Sequence, residues 1–353
     1  MAFGGQQVSL TGMVMQLYRS AFLAMVTLGT PAFTGMSREQ APVISALPAM
    51  STVSHRVNSL RITVLSTMLA GDNRRGDVGE WGFAALVEVD GRRLLLDTGA
   101  KPETVLENAR QLGIDLADVT DLVISHNHSD HIGGLLTLRR ELSKRNPQAL
   151  SRAHVPAGIF QPRVNAAGVP SNGLLAVKEA YEASGGAFAT HDAPVEIVPG
   201  VWLTGPVPRP NPERNYDLAV RLPVPSGFVP DSVPEDASLV ISSDQGLVVL
   251  TGCGHAGIVN IIEYARKIVP AARILAIIGG LHTFAATDAQ LTWTAEKLRN
   301  YGLGHLLGAH CTGIEAVYRI RQLAGLDRRT AVVSAVGSSF DFKSGIEARA
   351  LAR

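Results

Sequence analysis

The chain has 353 residues, 46% hydrophobic and 18% charged, so it carries enough apolar material for one large core or two smaller ones. Its formal net charge is +1, and this balance argues against a nucleic-acid partner. Only two cysteines occur, Cys253 and Cys311, which argues against a disulfide framework.

Residues 1–57 are predicted to form an N-terminal arm, a linker or a signal segment. The apolar stretch 20–33 contains Gly29 and Pro31 and is too short and too broken for a membrane span. One basic residue, Arg19, precedes it, and no clear small-x-small cleavage site follows. We therefore expect a cytoplasmic protein without a membrane span; a periplasmic or secreted protein is the alternative if the segment is a signal.

The folded domain is predicted to cover residues 58–345, with a C-terminal tail at 346–353. Its elements follow from apolar periodicity and turn residues. The predicted strands lie at 60–65, 83–89, 92–96, 121–124, near 195 and 201, 239–241, 247–250, 274–278, 305–308 and 331–335. The predicted helices lie at 102–112, 135–144, 173–183, 258–268, 291–300 and 314–324. Alternating strands and helices indicate sheets covered by helices.

Residues 146–235 show weaker periodicity and are rich in Pro and Gly. A long irregular segment inside a compact enzyme often shapes the pocket, and we predict that role here. The alternative is an insertion without a catalytic role.

The densest group of metal-ligand side chains is the segment SHNHSDHIGG at 125–134, directly after a predicted buried strand. Its four ligand-type residues are His126, His128, Asp130 and His131. In an extended segment the first three share one face, and a turn toward the glycines brings the fourth round, which predicts two sub-sites. Imidazole and carboxylate ligands suit zinc first, with iron and manganese as alternatives.

Three later strands end in small residues followed by a histidine, at His255, His282 and His310. Functional groups in layered α/β proteins collect at the carboxyl ends of strands. We therefore expect these histidines to converge on the segment 125–134. Asp97 stands at another such strand end.

The order DTG at 97–99, HxHxDH at 126–131 and later strand-end histidines resembles the metallo-β-lactamase fold superfamily. The motifs TGCGHAGIVN at 251–260, GGLH at 279–282 and HCTG at 310–313 resemble, more finely, the branch of metal-dependent hydrolases that includes archaeal dihydropterin ribofuranosyl-aminobenzene phosphate synthase. The resemblance implies an α/β fold, a four-layer αββα sandwich with the metal site at one edge of the sheets.

The resemblance also implies two divalent metal ions with a bridging water between them. The first ion would be held by His126, His128 and His255. The second would be held by Asp130, His131 and His310. Asp130 would in addition orient the nucleophile.

The resemblance gives two neighbouring residues less direct roles. Asp97 would accept a hydrogen bond from a ligand imidazole and fix its tautomer. For His282 three roles stay open: a replacement ligand, a general acid or a substrate contact.

Two departures from the pattern bear on the substrate and on the second metal. Glu80-Trp81-Gly82 stands where the branch has Glu-His-Gly, so an indole replaces a pocket histidine. The bridging Asp of the superfamily lacks a clear counterpart, and Cys253 occupies its expected place, where it either ligates as a thiolate or packs. Candidate substrate contacts are Glu80, Trp81, Asp72, Asn73 and Arg209.

The predicted function is hydrolysis of a small molecule, in which a metal-bridging hydroxide attacks an ester, lactone, phosphodiester or amide. A synthase-like transferase of the resembled branch is the alternative, and a metal-binding protein with little catalytic activity is a second one. The transferase needs an anion grip, for which Arg209, Arg214 and the helix start after Gly257 are candidates. The sequence leaves the oligomeric state open.

Overall fold

The computed structural model describes residues 55–72, 76–216 and 218–352. By compactness the chain divides into Met1–Met50 and Ser51–Arg353. Of the predicted N-terminal arm at 1–57, only residues 55–57 are among the described residues. The candidate residue Asn73 lies outside them. Within the described ranges, no helix has both the length and the apolar character needed to cross a membrane.

The first sheet has eight strands in the order β17-β16-β1-β2-β3-β4-β5-β6. They are β1 (Leu60–Ser66), β2 (Ala84–Val89), β3 (Arg92–Leu96), β4 (Asp121–Val123), β5 (Arg152–Pro156), β6 (Ala187–His191), β16 (Ser339–Asp341) and β17 (Gly345–Glu347). The predicted hairpin between β2 and β3 turns at Asp90 and Gly91, whose φ angles of 44° and 77° fit the left-handed turn expected of Asp-Gly.

The second sheet has seven strands in the order β15-β14-β13-β12-β11-β8-β7. They are β7 (Val195–Val198), β8 (Val201–Leu203), β11 (Ser238–Ser243), β12 (Gly246–Thr251), β13 (Ile274–Gly279), β14 (His305–Gly308) and β15 (Ala331–Val333). A separate two-stranded hairpin consists of β9 (Arg221–Val224) and β10 (Gly227–Pro230).

Helices cover the outer faces of both sheets. They are α1 (Thr104–Gln111), α2 (Ser129–Ile132), α3 (Leu135–Ser143), α4 (Gly173–Ala183), α5 (Ile258–Ile268), α6 (Asp288–Asn300) and α7 (Ile314–Ala324). Apolar residues of α1, α3 and α4 share a buried cluster with the outward-facing residues of the first sheet. Helix α7 packs on β14 and β15, and α6 contacts both α5 and α7.

The main core lies between the two sheets, because strand side chains alternate between the two faces. In β3, Leu94 and Leu96 enter the cluster shared by both sheets, whereas Leu95 faces the helices. From the second sheet, Leu239 and Leu250 reach the same inter-sheet cluster. The predicted four-layer αββα sandwich is therefore confirmed.

The parallel strands place their carboxyl ends at a common edge in each sheet. Strands β3 and β4 are parallel neighbours in the first sheet, and β12, β13 and β14 are parallel neighbours in the second. Parallel strands present their loops on the same side. The loops that carry all the candidate metal ligands therefore leave the sheets at these ends.

Six short strands were not predicted from the sequence: β5, β6, β9, β10, β16 and β17. They carry Arg, His, Pro, Asp or Gly, which weaken the apolar signal that identifies strands. The structure also extends the first sheet beyond the predicted domain boundary at 345, because β17 pairs with β16.

Replacing Leu239 with Ala tests the inter-sheet core. Leu239 has no exposed surface and lies in the cluster formed by both sheets. A cavity at this position should lower the free energy of unfolding by about 2–5 kcal/mol, measured by urea denaturation. The control Leu218→Ala, at a side chain that is 67% exposed, should change it by less than about 0.5 kcal/mol. Equal effects of both changes would contradict the core assignment.

Candidate metal centre

The segment after β4 divides its ligand-type residues into two groups. The backbone is extended at His128, with φ −68° and ψ 144°, and helix α2 begins directly after it at Ser129. The expectation of an extended run through Asp130 is therefore wrong. The helical turn instead groups Asp130 with His131 and His310.

Side chains from both sheets meet at this edge in two ligand-type groups. The first contains His126, His128 and His255, and the second contains Asp130, His131 and His310. Within each group, the atoms that could bind a metal lie within 4.8 Å of one another. These are the two groups that the sequence resemblance implied.

A hydrogen-bond chain sets the tautomer of His126. The hydroxyl of Ser125 donates to Oδ2 of Asp97 at 2.8 Å, so its lone pair is left to accept from Nδ1 of His126 at 2.9 Å. The lone pair of His126 then lies on Nε2, which is buried and has no hydrogen-bond partner among the described residues. A buried nitrogen without a partner is costly, and a metal ion would satisfy it.

His255 is oriented in the same way by a backbone carbonyl. The oxygen of Asn215 accepts a hydrogen bond from Nδ1 of His255. Nε2 of His255 is buried and likewise without a hydrogen-bond partner among the described residues. The donor set therefore fits a metal ion: the imidazoles of His126 and His255 both hold their free lone pairs on Nε2.

Asp97 also holds a histidine of the second group. Its Oδ2 lies 2.7 Å from Nδ1 of His131, and both side chains are fully buried. Its Oδ1 accepts from the backbone N–H of Ser125 at 2.8 Å. Asp97 thus accepts a hydrogen bond from an imidazole of the second group.

Burial keeps the first group in the protonation state that binds metal. It lowers the pKa of His126 and His255 well below the usual value, and it lowers the pKa of His128 to about 4. At neutral pH these imidazoles are therefore unprotonated, as a metal ligand must be.

In the second group, neighbouring charges together affect the pKa values of Asp130 and His310 more than burial does. Burial alone would raise the pKa of Asp130, but His131 and His310 hold it below its usual value. Burial alone would lower the pKa of His310, but Cys311 and Asp130 raise it to about 10. Nε2 of His310 lies 3.2 Å from Oδ2 of Asp130. A metal ion bound here would have to displace a proton from His310.

The backbone is strained at three residues of this edge. Asp97, His282 and His310 have φ angles of 57°, 50° and 46°, in the left-handed region that non-glycine residues rarely adopt. Such strain concentrates at functional sites, where the surrounding structure maintains it.

Gly252 allows the edges of the two sheets to meet. A Cβ atom at this position would lie 2.1 Å from Oγ of Ser125 and 2.6 Å from Oδ2 of Asp97. Any side chain here would therefore push apart the hydrogen bonds that orient the histidines.

The two cysteines lie side by side at the same edge. Both are buried and free, and their Sγ atoms are 3.2 Å apart. Cys253 Sγ lies 3.2 Å from Nε2 of His131 and groups with His126 and His131. The thiol of Cys253 is therefore close enough to both ligand-type groups for the predicted alternatives, ligation or packing, to stay open.

A buried ion-pair network, which the sequence analysis missed, supports the His126–His128 loop. Asn127, between the two histidines, donates to the carboxylate of Glu235. Glu235 pairs with Arg163, which also bonds Oδ2 of Asp231 at 2.9 Å, and the Arg163 side chain is only 1% exposed. No local motif marks these residues, because they are far apart in sequence and become partners only in the fold.

A cavity of about 580 Å³ adjoins the ligand-type groups. One wall is formed by the segment 212–216, within the irregular region that was predicted to shape the pocket. His282, Phe284 and Trp293 line other parts of it. Ring centroids of His282 and His255 are 4.4 Å apart, so the cavity opens beside the first group.

The candidate substrate contacts Trp81 and Glu80 differ in how far they are exposed. Trp81 is 48% exposed, and its ring lies 5.1 Å from that of His310 and 5.5 Å from that of Phe284. Glu80 is instead buried, and its carboxylate accepts hydrogen bonds from Ser66 and from the backbone N–H groups of residues 100 and 101. Glu80 therefore supports the fold and does not form the pocket rim.

Two further candidates lie away from the cavity lining. Arg209 donates from both terminal nitrogens, each at 2.5 Å, to the carbonyl oxygens of Ser232 and Val233. Asp72 is half-buried in the loop after β1 and is absent from the lining of the cavity. Asn73 lies outside the described residues.

The helix start after Gly257 is already occupied by the carboxyl group of Glu213, whose pKa burial raises to about 7. The carboxylate of Glu213 accepts from the backbone N–H groups of Val259 at 3.2 Å and Asn260 at 3.0 Å, at the amino end of α5. A Cβ at Gly257 would lie 2.4 Å from Glu213, so the glycine makes room for this contact. The expected phosphate grip at this helix is therefore not open. Arg214 does line the cavity.

Comparison with known proteins supports the same fold. The model of the metallo-beta-lactamase superfamily matches residues 82–160, which include β2 to β5 and the segment with His126 to His131. The crystal structure of Tm1679, described as a metal-dependent hydrolase of the beta-lactamase superfamily, superposes with a TM-score of 0.61 at 27% identity. It covers 74% of this chain and 92% of that one. This is a metallo-β-lactamase fold.

Two proteins of Methanocaldococcus jannaschii are similar to this metallo-β-lactamase-fold chain in sequence. One is 7,8-dihydropterin-6-methyl-4-(beta-D-ribofuranosyl)-aminobenzene-5'-phosphate synthase, 28% identical over 74% of this chain and 90% of the relative. The other is an uncharacterized protein, 28% identical over 69% of this chain and 88% of the relative. The resemblance predicted from the motifs is therefore confirmed.

Replacing Asp97 with Asn tests whether this carboxylate orients metal ligands. The substitution keeps the shape but removes the charge that accepts from His131 and Ser125. We expect metal affinity to fall about 10–100-fold, measured by competition with a chelator. The control Asp244→Asn, at an exposed carboxylate that pairs with Arg56, should leave the affinity unchanged. An unchanged affinity in Asp97→Asn would contradict the role.

The lowered histidine pKa values predict how the metal-free protein responds to acid. Between pH 6.5 and about 4 the unfolded chain protonates His128 while the folded chain does not. The folded state binds fewer protons, so its free energy of unfolding should decrease as the pH falls through this window. Urea midpoints at several pH values measure the slope, which should be shallower in His128→Gln. Identical slopes in the two proteins would contradict the prediction.

Proposed function

We propose that the chain is a metal-dependent hydrolase that acts on a small molecule. The observation that carries the proposal is that Nε2 of His126 and Nε2 of His255 are buried without a hydrogen-bond partner among the described residues. Both atoms lie at an edge where two groups of ligand-type residues meet. Such a donor set is costly to bury without an ion, and the relatives of the fold include metal-dependent hydrolases.

The residues present would hold two divalent ions, zinc first and iron or manganese as alternatives. His126, His128 and His255 would hold one ion, and Asp130, His131 and His310 the other. When bound, such ions make water nucleophilic near neutral pH and stabilise the charge that develops on an attacked ester, lactone, phosphodiester or amide.

Other residues of the edge orient these ligands through hydrogen bonds. Asp97 fixes His131 directly and His126 through Ser125, and the carbonyl of Asn215 fixes His255. Asp130 is 20% exposed, so one carboxylate of the second group can accept a hydrogen bond from an incoming nucleophile.

The cavity beside His282 is the proposed substrate site. It combines the aromatic rings of Phe284, Tyr216 and Trp293 with the guanidinium of Arg214. Such a lining suits a partly planar, apolar molecule with a negatively charged group. His282 lies between this cavity and the first ligand group, where a side chain able to donate a proton would face the leaving group.

A synthase-like transferase is the second candidate. It is favoured by the 28% identity to the dihydropterin aminobenzene phosphate synthase and by Arg214 at the cavity wall, which offers a cation for a phosphate. The helix start after Gly257 does not offer a second grip, because Glu213 occupies it. A metal-binding protein with little catalytic activity would retain the ligand groups but turn over no substrate.

Replacing His128 with Ala tests the proposed function. The substitution removes one imidazole of the first group, so metal content and turnover should fall together. We expect activity to fall by about 100-fold or more. Metal analysis is paired with a panel of lactone, phosphodiester, β-lactam, ester and pterin substrates. Condensation of a pterin without hydrolysis of any ester would favour the transferase instead.

The control for this test is His305→Ala. His305 begins β14 and packs on the ring of Phe340, whereas His310 follows the opposite end of that strand. It should keep full metal content and activity. Full metal occupancy in His128→Ala would refute the assignment of this ligand. If His128→Ala loses metal but the parent protein turns over no substrate of the panel, the non-catalytic alternative is favoured.

A further inference from the structure

A third group of ligand-type side chains lies outside the two His/Asp groups. It consists of Cys253, His282 and Cys311, whose potential ligand atoms lie within 4.8 Å of one another. Both cysteines are buried, with Sγ atoms 3.2 Å apart. The proposed two-metal hydrolase does not require Cys311, and it leaves Cys253 and His282 without a fixed ligand role.

We propose that Cys253, His282 and Cys311 form an additional metal position, which takes a thiophilic divalent ion such as zinc. Two thiolates and one imidazole are a donor set that zinc binds well. This inference goes beyond the proposed hydrolase and does not depend on which substrate is used.

The fold fixes the three side chains relative to one another. Cys253, His282 and Cys311 follow the ends of β12, β13 and β14, which are consecutive parallel neighbours in the second sheet. The backbone N–H of Ala309 donates to the carbonyl of Gly279 at 2.8 Å, so the last two of these loops are tied together. The loops thus bring the three donors together before any ion binds, which lowers the cost of ordering them.

The imidazole of His282 has one ring nitrogen that no described residue uses. Its Nδ1 is buried and has no hydrogen-bond partner among the described residues. The left-handed backbone at His282, with φ 50°, is costly for a residue with a side chain. Both observations are explained if the ring is held in this position to bind an ion.

Charge balance favours a divalent cation at this position. Two thiolates carry two negative charges, which offset those of a divalent ion in a buried setting. Cys253 also lies within ligand distance of His126 and His131, so the additional position adjoins the second His/Asp group through a shared thiol.

The additional position adjoins the cavity. His282 contributes to the cavity lining as well as to the thiol group. Three protein ligands leave a fourth coordination position open in a tetrahedral site, as in catalytic zinc sites. The position would therefore give the cavity a Lewis acid that a substrate or product group with a sulfur, nitrogen or oxygen donor can reach.

Cobalt substitution tests the proposal on the full chain. The protein, kept reduced with a non-thiol reductant and freed of metal, is titrated with Co²⁺ while thiolate-to-cobalt absorption and proton release are recorded. We expect Cys311→Ser to lose about one equivalent of bound metal per chain and to reduce the thiolate absorption. His282→Gln should lose the same equivalent while both thiols remain.

Three comparisons separate this position from the proposed hydrolase. His305→Gln, which removes a histidine from the opposite end of β14, should bind as the parent does. His128→Ala should lose activity yet keep the thiolate absorption, so failure of the hydrolase and failure of this position are distinguishable. Parent-like metal content and absorption in both Cys311→Ser and His282→Gln, with parent-like circular dichroism, would overturn the proposal.

Discussion

The candidate metal centre depends on the hydrogen bonds that the carboxylate of Asp97 accepts. This carboxylate is fully buried and accepts hydrogen bonds from His131 and from both the N–H and the hydroxyl of Ser125. Through Ser125 it also determines which nitrogen of His126 carries the proton. One charge from the first sheet therefore orients an imidazole in each of the two ligand groups. A buried carboxylate is tolerated only with such partners, so the orientation and the stability of this edge are coupled.

The residues that precede β11 in the chain support the ligand-type groups, and some of them also form a wall of the cavity. Asn215 orients His255, its neighbour Glu213 caps α5, and Glu235 holds Asn127 in the first ligand loop. The next residue, Asp236, accepts from the backbone N–H of Ala256 at 2.8 Å, beside His255. Because consecutive residues serve both the cavity and the ligands, a substitution that reshapes the cavity at 213–215 will also move His255. The shape of the cavity and the orientation of His255 are thus linked through the backbone.

The fold and the ligand groups could be predicted because their signals are local. Each histidine follows a strand whose apolar pattern is clear, and parallel strands bring such ends together. The supporting contacts could not be predicted in the same way. A carbonyl such as that of Asn215 has no sequence signature, and Arg163 looks like any surface arginine until Glu235 and Asp231 meet it in the fold. Strand β5 was missed because its Arg, His and Pro hide a strand that is buried by neighbours distant in sequence.

Trp81 restricts where proton transfer can occur. Its indole ring packs against His310 and Phe284, and Phe284 in turn packs against His282. An indole has no lone pair for a metal and does not exchange protons near neutral pH. One side of the centre is therefore an apolar wall. By contrast, His282 lines the cavity and the side chain of Asp130 is 20% exposed, and both of these side chains can exchange protons.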